Sequence, residues 1–224
     1  MEPRMLLLAC GMLAGPFYII VGAIQMTIRP GFDPNRHALS LLSNGHLGWI
    51  QVANFLITGV LLIAGAIGLR NSLFSGRGRK WAPRMLALYG LGLIGAGFFS
   101  ADPGLGFPPG TPLAHNPISW HGEMHFVSGG LGFTGLIATT FILAARFRDL
   151  AQPGWAAYSL ITGIVFLAAF FGISSGARAP MNLIFAAAVV LSFVWLSGIF
   201  QHMRSEKVYA EPSRQREQVG LKEK

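Results

Sequence analysis

Two histidines four positions apart, His121 and His125, are the residues whose spacing most directly suggests chemistry. In an α-helix, residues four apart share a face, and two imidazoles placed in this way can bind one metal ion. Glu123 lies two positions after His121, about 200° round the helix, so its side chain points away from that face. The pattern therefore differs from the His-Glu-x-x-His arrangement of zinc peptidases and predicts no peptidase mechanism.

A metal site needs more ligands than this pair supplies, and the polar segments before the second and fourth apolar stretches contain them. The further candidate ligands are His46, His115 and Asp33, and the candidate catalytic side chains are Asp102 and Ser43. The pattern predicts a zinc ion that activates a water molecule. Two alternatives stay open: haem between His46 and a histidine of the fourth stretch, or solvated and helix-capping side chains without any cofactor.

Six apolar stretches separate the polar segments, at residues 5–28, 49–69, 85–101, 124–145, 155–173 and 181–200. The chain is 52% hydrophobic and 12% charged, whereas soluble domains carry about 25% charged residues. About 20 apolar residues cross a bilayer as a helix, and the stretches lack the alternation of a membrane barrel. The sequence therefore predicts an all-α fold, a polytopic transmembrane bundle of six helices.

The basic residues predict the orientation of this bundle. If the N-terminus is cytoplasmic, that side receives 14 of the 17 lysines and arginines. The other side receives Arg29, Arg36 and Arg178, together with five of the six histidines. The positive-inside rule then places both termini in the cytoplasm and the protein in the plasma membrane. Because the cations punctuate apolar stretches, they indicate membrane lipids as partners and no nucleic acid; a homo-oligomer stays open.

The division of the chain follows from the same pattern. Residues 1–200 are predicted to form the transmembrane domain, and residues 201–224 a cytoplasmic tail, disordered because it lacks apolar periodicity. Small residues four apart, at Gly11 and Gly15 and at Gly172 and Gly176, predict close helix packing. The single cysteine, Cys10, excludes an internal disulfide.

Several short motifs carry a family resemblance. They are Gly15-Pro16, the segment 29–34 followed by Ser40 and by Gly48-Trp49, and then Asp102-Pro103 and His121. With these motifs, residues 6–201 resemble the domain of unknown function 998 family. The resemblance implies a small six-helix membrane protein and no established reaction, so it assigns no site residues.

Two functions therefore compete. The first is a non-enzymatic membrane protein that binds lipid, transports a solute or assists another protein. The absence of ionisable residues in the middle of the stretches disfavours a coupled transporter. The second is a metal-dependent lipid hydrolase at the outer leaflet, with His121 and His125 as ligands.

Overall fold

The structure, a computed structural model, describes residues 2–113, 117–175 and 179–220, and this part of the chain is helical as predicted. The six helices are α1 (Pro3–Ile28), α2 (Gly48–Ser72), α3 (Trp81–Phe98), α4 (Trp120–Asp149), α5 (Pro153–Ser174) and α6 (Ala179–Gly220), and a 3₁₀ turn spans Leu39–Ser43. Five of them, all except α3, are long and apolar enough to cross a membrane. The α3 helix has 18 residues and begins with Trp81, Pro83 and Arg84, which lower its apolar character.

The helices form a closed ring, because each packs along the next in sequence and α6 returns to α1. Aromatic side chains fill the interior. The ring of Tyr18 stacks on Phe193 with centroids 4.7 Å apart, and Phe133 contacts Phe166 and Phe185 at 5.3 and 5.4 Å. Since lipid tails are as apolar as these side chains, dispersion contacts rather than hydrophobic burial hold such a bundle together.

Glycines set the spacing between neighbouring helices. A Cβ on Gly59 would lie 2.6 Å from the carbonyl oxygen of Gly90, and a Cβ on Gly90 would lie 2.7 Å from that of Gly59. Gly15 lies equally close to the backbone of Phe193, and Gly11 faces the ring of Phe200. The predicted close packing at Gly11 and Gly15 is therefore confirmed. Gly172 packs against Met181, while Gly176 lies outside the described residues.

Buried amides join α1 to α2. The Nε2 of Gln25 donates to Oε1 of Gln51 at 2.7 Å, and Asn54 donates to the Tyr18 carbonyl at 3.2 Å. Thr58 donates to the side-chain oxygen of Asn54 at 3.4 Å. Inside a membrane bundle such amides fix the register of two helices, because a shifted pair would leave polar groups without partners.

The alternating helix directions place the connections at two opposite ends. One end carries the long connections 29–47 and 99–119, and the other carries the short connections 73–80 and 150–152. The backbone of α6 stays helical to Gly220. The division into a domain of residues 1–200 and a disordered tail of residues 201–224 stays a prediction.

Candidate functional site

The two long connections pack on one another and cover one end of the bundle. We call residues 29–47 and 99–113 the loop layer; residues 114–116, and with them the candidate ligand His115, lie outside the described residues. The Nδ2 of Asn182 donates to the Asn35 carbonyl at 3.2 Å and so attaches this layer to α6. All the other candidate residues lie in the loop layer or at the adjoining end of α4.

His37 joins the two connections of the loop layer. Its Nδ1 accepts a hydrogen bond from the Asp33 backbone N–H at 2.9 Å, so the proton lies on Nε2, which donates to the Leu105 carbonyl at 3.0 Å. The ring is 3% exposed and packs against Phe32 and Phe107. With both nitrogens bonded to backbone, His37 is a structural histidine. His37 was not among the candidate site residues predicted from the sequence, and its spacing of four residues from Asp33 does not by itself indicate this pair of backbone contacts.

Arg29 is a buried cation whose partners are backbone carbonyls. Its guanidinium donates to the Leu42 carbonyl at 2.9 Å and to the Asn44 carbonyl, and it lies 5.2 Å from the centre of the Phe107 ring. Burial lowers the pKa of Arg29, but an arginine starts so far above neutrality that it stays charged. Its contacts hold the 3₁₀ turn against the second connection.

Asp102, a candidate catalytic residue, supports the N-terminus of α4. Its carboxylate accepts from the backbone N–H of Ser119 at 2.7 Å and from the Ser119 hydroxyl. That hydroxyl in turn accepts the N–H of Gly122 at 3.1 Å, which makes Ser119 the N-cap of the helix. The negative charge also lies at the positive end of the helix dipole. Asp102 thus stabilises the N-terminus of α4 through Ser119.

The predicted histidine pair lies on α4, but its members occupy different surroundings. His125 is 7% exposed, and its Nδ1 lies 2.7 Å from the Phe99 carbonyl and 3.1 Å from the Ala96 carbonyl. Both carbonyls belong to the end of α3, so His125 connects the two helices. His121 is exposed, with its ring centre 3.7 Å from that of Trp120.

The remaining candidates are also separated from one another. Asp33 accepts from the backbone and side-chain N–H groups of Asn35 at 2.9 and 3.1 Å, and these bonds lower the pKa of Asp33. The Ser43 hydroxyl is buried and donates to the Ser40 carbonyl at 2.7 Å. His46 is exposed. Each of these arrangements serves the local backbone of the loop layer.

Within the described ranges, no group of three or more His, Cys, Asp or Glu side chains could hold a metal ion. Because His115 lies outside those ranges, the predicted zinc site and the haem alternative stay predictions.

A family model with the description "Protein of unknown function (DUF998)" matches residues 12–202. No curated protein and no solved structure matches the chain.

Proposed function

We propose that this chain, which belongs to the DUF998 family, is a non-enzymatic, lipid-binding protein with six membrane spans. We place it in the plasma membrane with both termini in the cytoplasm. The family description names no reaction, so the support comes from the contacts of the described residues.

One observation carries the non-enzymatic part of the proposal: four of the candidate side chains bond to the protein's own backbone, and these are Asp33, Ser43, Asp102 and His125. Asp102 supports the Ser119 cap, and the Ser43 hydroxyl donates to a carbonyl of its own turn. His125 is bonded to the end of α3. A catalytic acid, base or nucleophile must instead face a position where a substrate atom can lie. The contacts described above instead hold the loop layer in place over one end of the bundle.

The packing of α3 supports a sixth span. A helix of 18 residues is about 27 Å long, close to the roughly 30 Å hydrocarbon core. Its faces are occupied by α2 through Gly59 and Gly90 and by α4, where Gly92 would place a Cβ 2.7 Å from the Ser128 carbonyl. A helix that packs along two spans over this length is expected to cross the same layer. Six spans return the chain to the side from which it started.

Exposed apolar side chains support the contact with lipid. Leu13, Ile20 and Ile24 of α1 are 53%, 57% and 52% exposed. Exposure of these side chains to water costs free energy, whereas contact with lipid tails does not. Exposed tryptophans lie at both ends of the bundle, Trp49 and Trp120 next to the loop layer and Trp81 at the opposite end. Tryptophan prefers the two membrane–water interfaces, so these rings mark the levels of the headgroups.

Cysteine labelling tests the orientation. In a Cys10→Ala background, which removes the single native cysteine, His46→Cys should react in whole cells with a membrane-impermeant maleimide. The matched variant Arg79→Cys, also exposed but at the other end, should react only after the cells are permeabilised. The opposite pattern would overturn the orientation and the assignment of both faces.

Metal analysis tests the non-enzymatic assignment against the hydrolase. The protein is purified without added metal and measured for zinc and for a visible spectrum, next to His121→Ala/His125→Ala. His202→Ala, a histidine from the opposite end, is the control. We expect neither stoichiometric zinc nor a Soret band. Zinc that is lost in the double variant and kept in the control would establish the metal site and refute the proposal.

A further inference from the structure

A groove with basic walls lies between α2 and α3, at the end of the bundle opposite the loop layer. Its volume is about 480 Å³. The basic residues that line it are Arg70 in the last turn of α2, Arg79 and Lys80 in the connection, and Arg84 in the first turn of α3. The fold therefore brings cations from three consecutive segments to one groove.

These four cations have no acidic partner in the part of the chain that the structure describes. Arg77, at the same end of the bundle, forms an ion pair with Asp149 at 3.2 Å, and neither of these two residues lines the groove. The side chains of Arg70, Arg79, Lys80 and Arg84 are exposed, and the guanidinium of Arg84 lies 5.4 Å from the centre of the Trp81 ring. Four like charges in one groove repel each other, so an anion between them relieves that repulsion as well as adding its own attraction.

The connection that carries two of the cations is held in place. Arg146 of α4 donates to the carbonyls of Ser75 and Arg77 at 2.7 and 2.9 Å. Gly76 and Gly78 have φ values of +79° and +82°, which fold the connection into a tight turn that residues with a side chain disfavour. The backbone positions of Arg79 and Lys80 are therefore set before any ligand binds.

The part of the groove that lies nearer the middle of the bundle is apolar. Ile63 and Ile67 of α2 face Pro83 and Ala87 of α3, and Ile67 is 48% exposed. The groove ends one turn deeper, where Gly59 and Gly90 bring the two backbones together. A ligand that fills the groove must therefore have two parts. Its anionic group lies at the level of Arg70 and Arg84, and its hydrocarbon chain lies along the apolar part of the groove.

We propose that this groove binds one anionic phospholipid of the cytoplasmic leaflet. Its phosphate lies among Arg70, Arg79, Lys80 and Arg84, and one acyl chain lies along Ile63 and Ile67. This assignment rests on the proposed lipid-binding function and names its ligand. Basic pockets between spans on the cytoplasmic side are suited to such headgroups. A choline or ethanolamine headgroup would bring an ammonium group towards four cations, so zwitterionic lipids bind less well.

The test uses the full chain, delipidated in a neutral detergent and titrated with short-chain phosphatidylglycerol or phosphatidylcholine under native mass spectrometry. The variant Arg70→Gln/Arg84→Gln removes two cations of the groove. Arg77→Gln/Arg148→Gln removes the same charge from the same end outside it. We expect the groove variant to bind phosphatidylglycerol roughly tenfold to thirtyfold more weakly and the control to stay within about threefold of wild type. Lys80→Gln alone should give a smaller loss of the same sign.

The outcomes separate the groove from the proposed function. Equal losses in the two double variants would refute the groove and leave lipid binding intact. Phosphatidylcholine binding as tight as phosphatidylglycerol binding would refute the selection for anionic lipid. Displacement of the lipid by millimolar inorganic phosphate would show a phosphate site instead of a lipid site. A wild-type protein that binds neither lipid would refute the groove and the lipid-binding function together.

Discussion

The replacement Gly122→Ala tests whether Asp102 is structural or catalytic. A Cβ on Gly122 would overlap the carboxylate of Asp102 and lie 3.2 Å from Cγ2 of Ile118. The carboxylate cannot move away without losing the two hydrogen bonds that it accepts from Ser119. Those bonds hold the hydroxyl that accepts the Gly122 N–H. The added methyl group therefore disrupts the whole N-cap of α4.

The magnitude follows from the contacts that are lost. Loss of an N-cap costs about 1 kcal/mol, and hydrogen bonds to a charged acceptor contribute about 1.5 kcal/mol each. Asp102 is half-buried, so water replaces part of the second contribution. We expect Gly122→Ala and Asp102→Ala each to lower the free energy of unfolding by about 2 kcal/mol. In the Asp102→Ala background the added methyl group no longer meets a carboxylate. There Gly122→Ala should raise the free energy of unfolding by up to about 1 kcal/mol, because alanine has a higher helix propensity than glycine.

The assay is a double-mutant cycle. The four proteins are unfolded with sodium dodecyl sulfate in mixed micelles and followed by circular dichroism and tryptophan fluorescence. The expected signature is a coupling energy of about 3 kcal/mol between the two positions. Additive losses would refute the contact between the Cβ and the carboxylate. An Asp102→Ala protein as stable as wild type would refute the structural role and restore Asp102 as a catalytic candidate.

Three further predictions concern other contacts of the bundle. His37→Ala should lower the free energy of unfolding by about 2 kcal/mol, because the Asp33 N–H and the Leu105 carbonyl lose their partner; in the same unfolding assay, the exposed His46→Ala should change it by less than about 0.5 kcal/mol. Gly92→Ala should cost about 1–3 kcal/mol where α3 meets Ser128 and Gly132, while Gly130→Ala, with no atom within 4 Å, should not be destabilising. The lowered pKa of Asp33 predicts a contribution to stability that is present above its unfolded pKa of about 3.9 and lost as the pH falls through the lower folded value. This contribution is measured by comparing the free energy of unfolding of wild type and Asp33→Ala as the pH is lowered, and identical pH profiles would contradict the prediction.

The sequence by itself determined the class of the protein. Long uninterrupted apolar stretches require helices, since lipid offers backbone groups no partners, and this argument needs no tertiary information. The predicted stretches begin within four residues of the helices and end within four residues of them, except that α6 continues to Gly220 rather than ending at residue 200. The spacing of Gly11 and Gly15 also predicted a helix contact, because small residues four apart lie on one face. The basic residues suggested an orientation through composition alone.

Only the tertiary structure decided what the polar residues of the loop layer do. Spacing along the chain shows which side chains share a helix face, but it does not show which backbone groups of distant segments those side chains contact. His125 meets the end of α3, 26 residues earlier at Phe99, and Asp102 meets the start of α4, 17 residues later at Ser119. His37 finds its second partner at Leu105, 68 residues away. Because most of these partners are main-chain atoms that any residue provides, the pattern of side chains in the sequence does not reveal them.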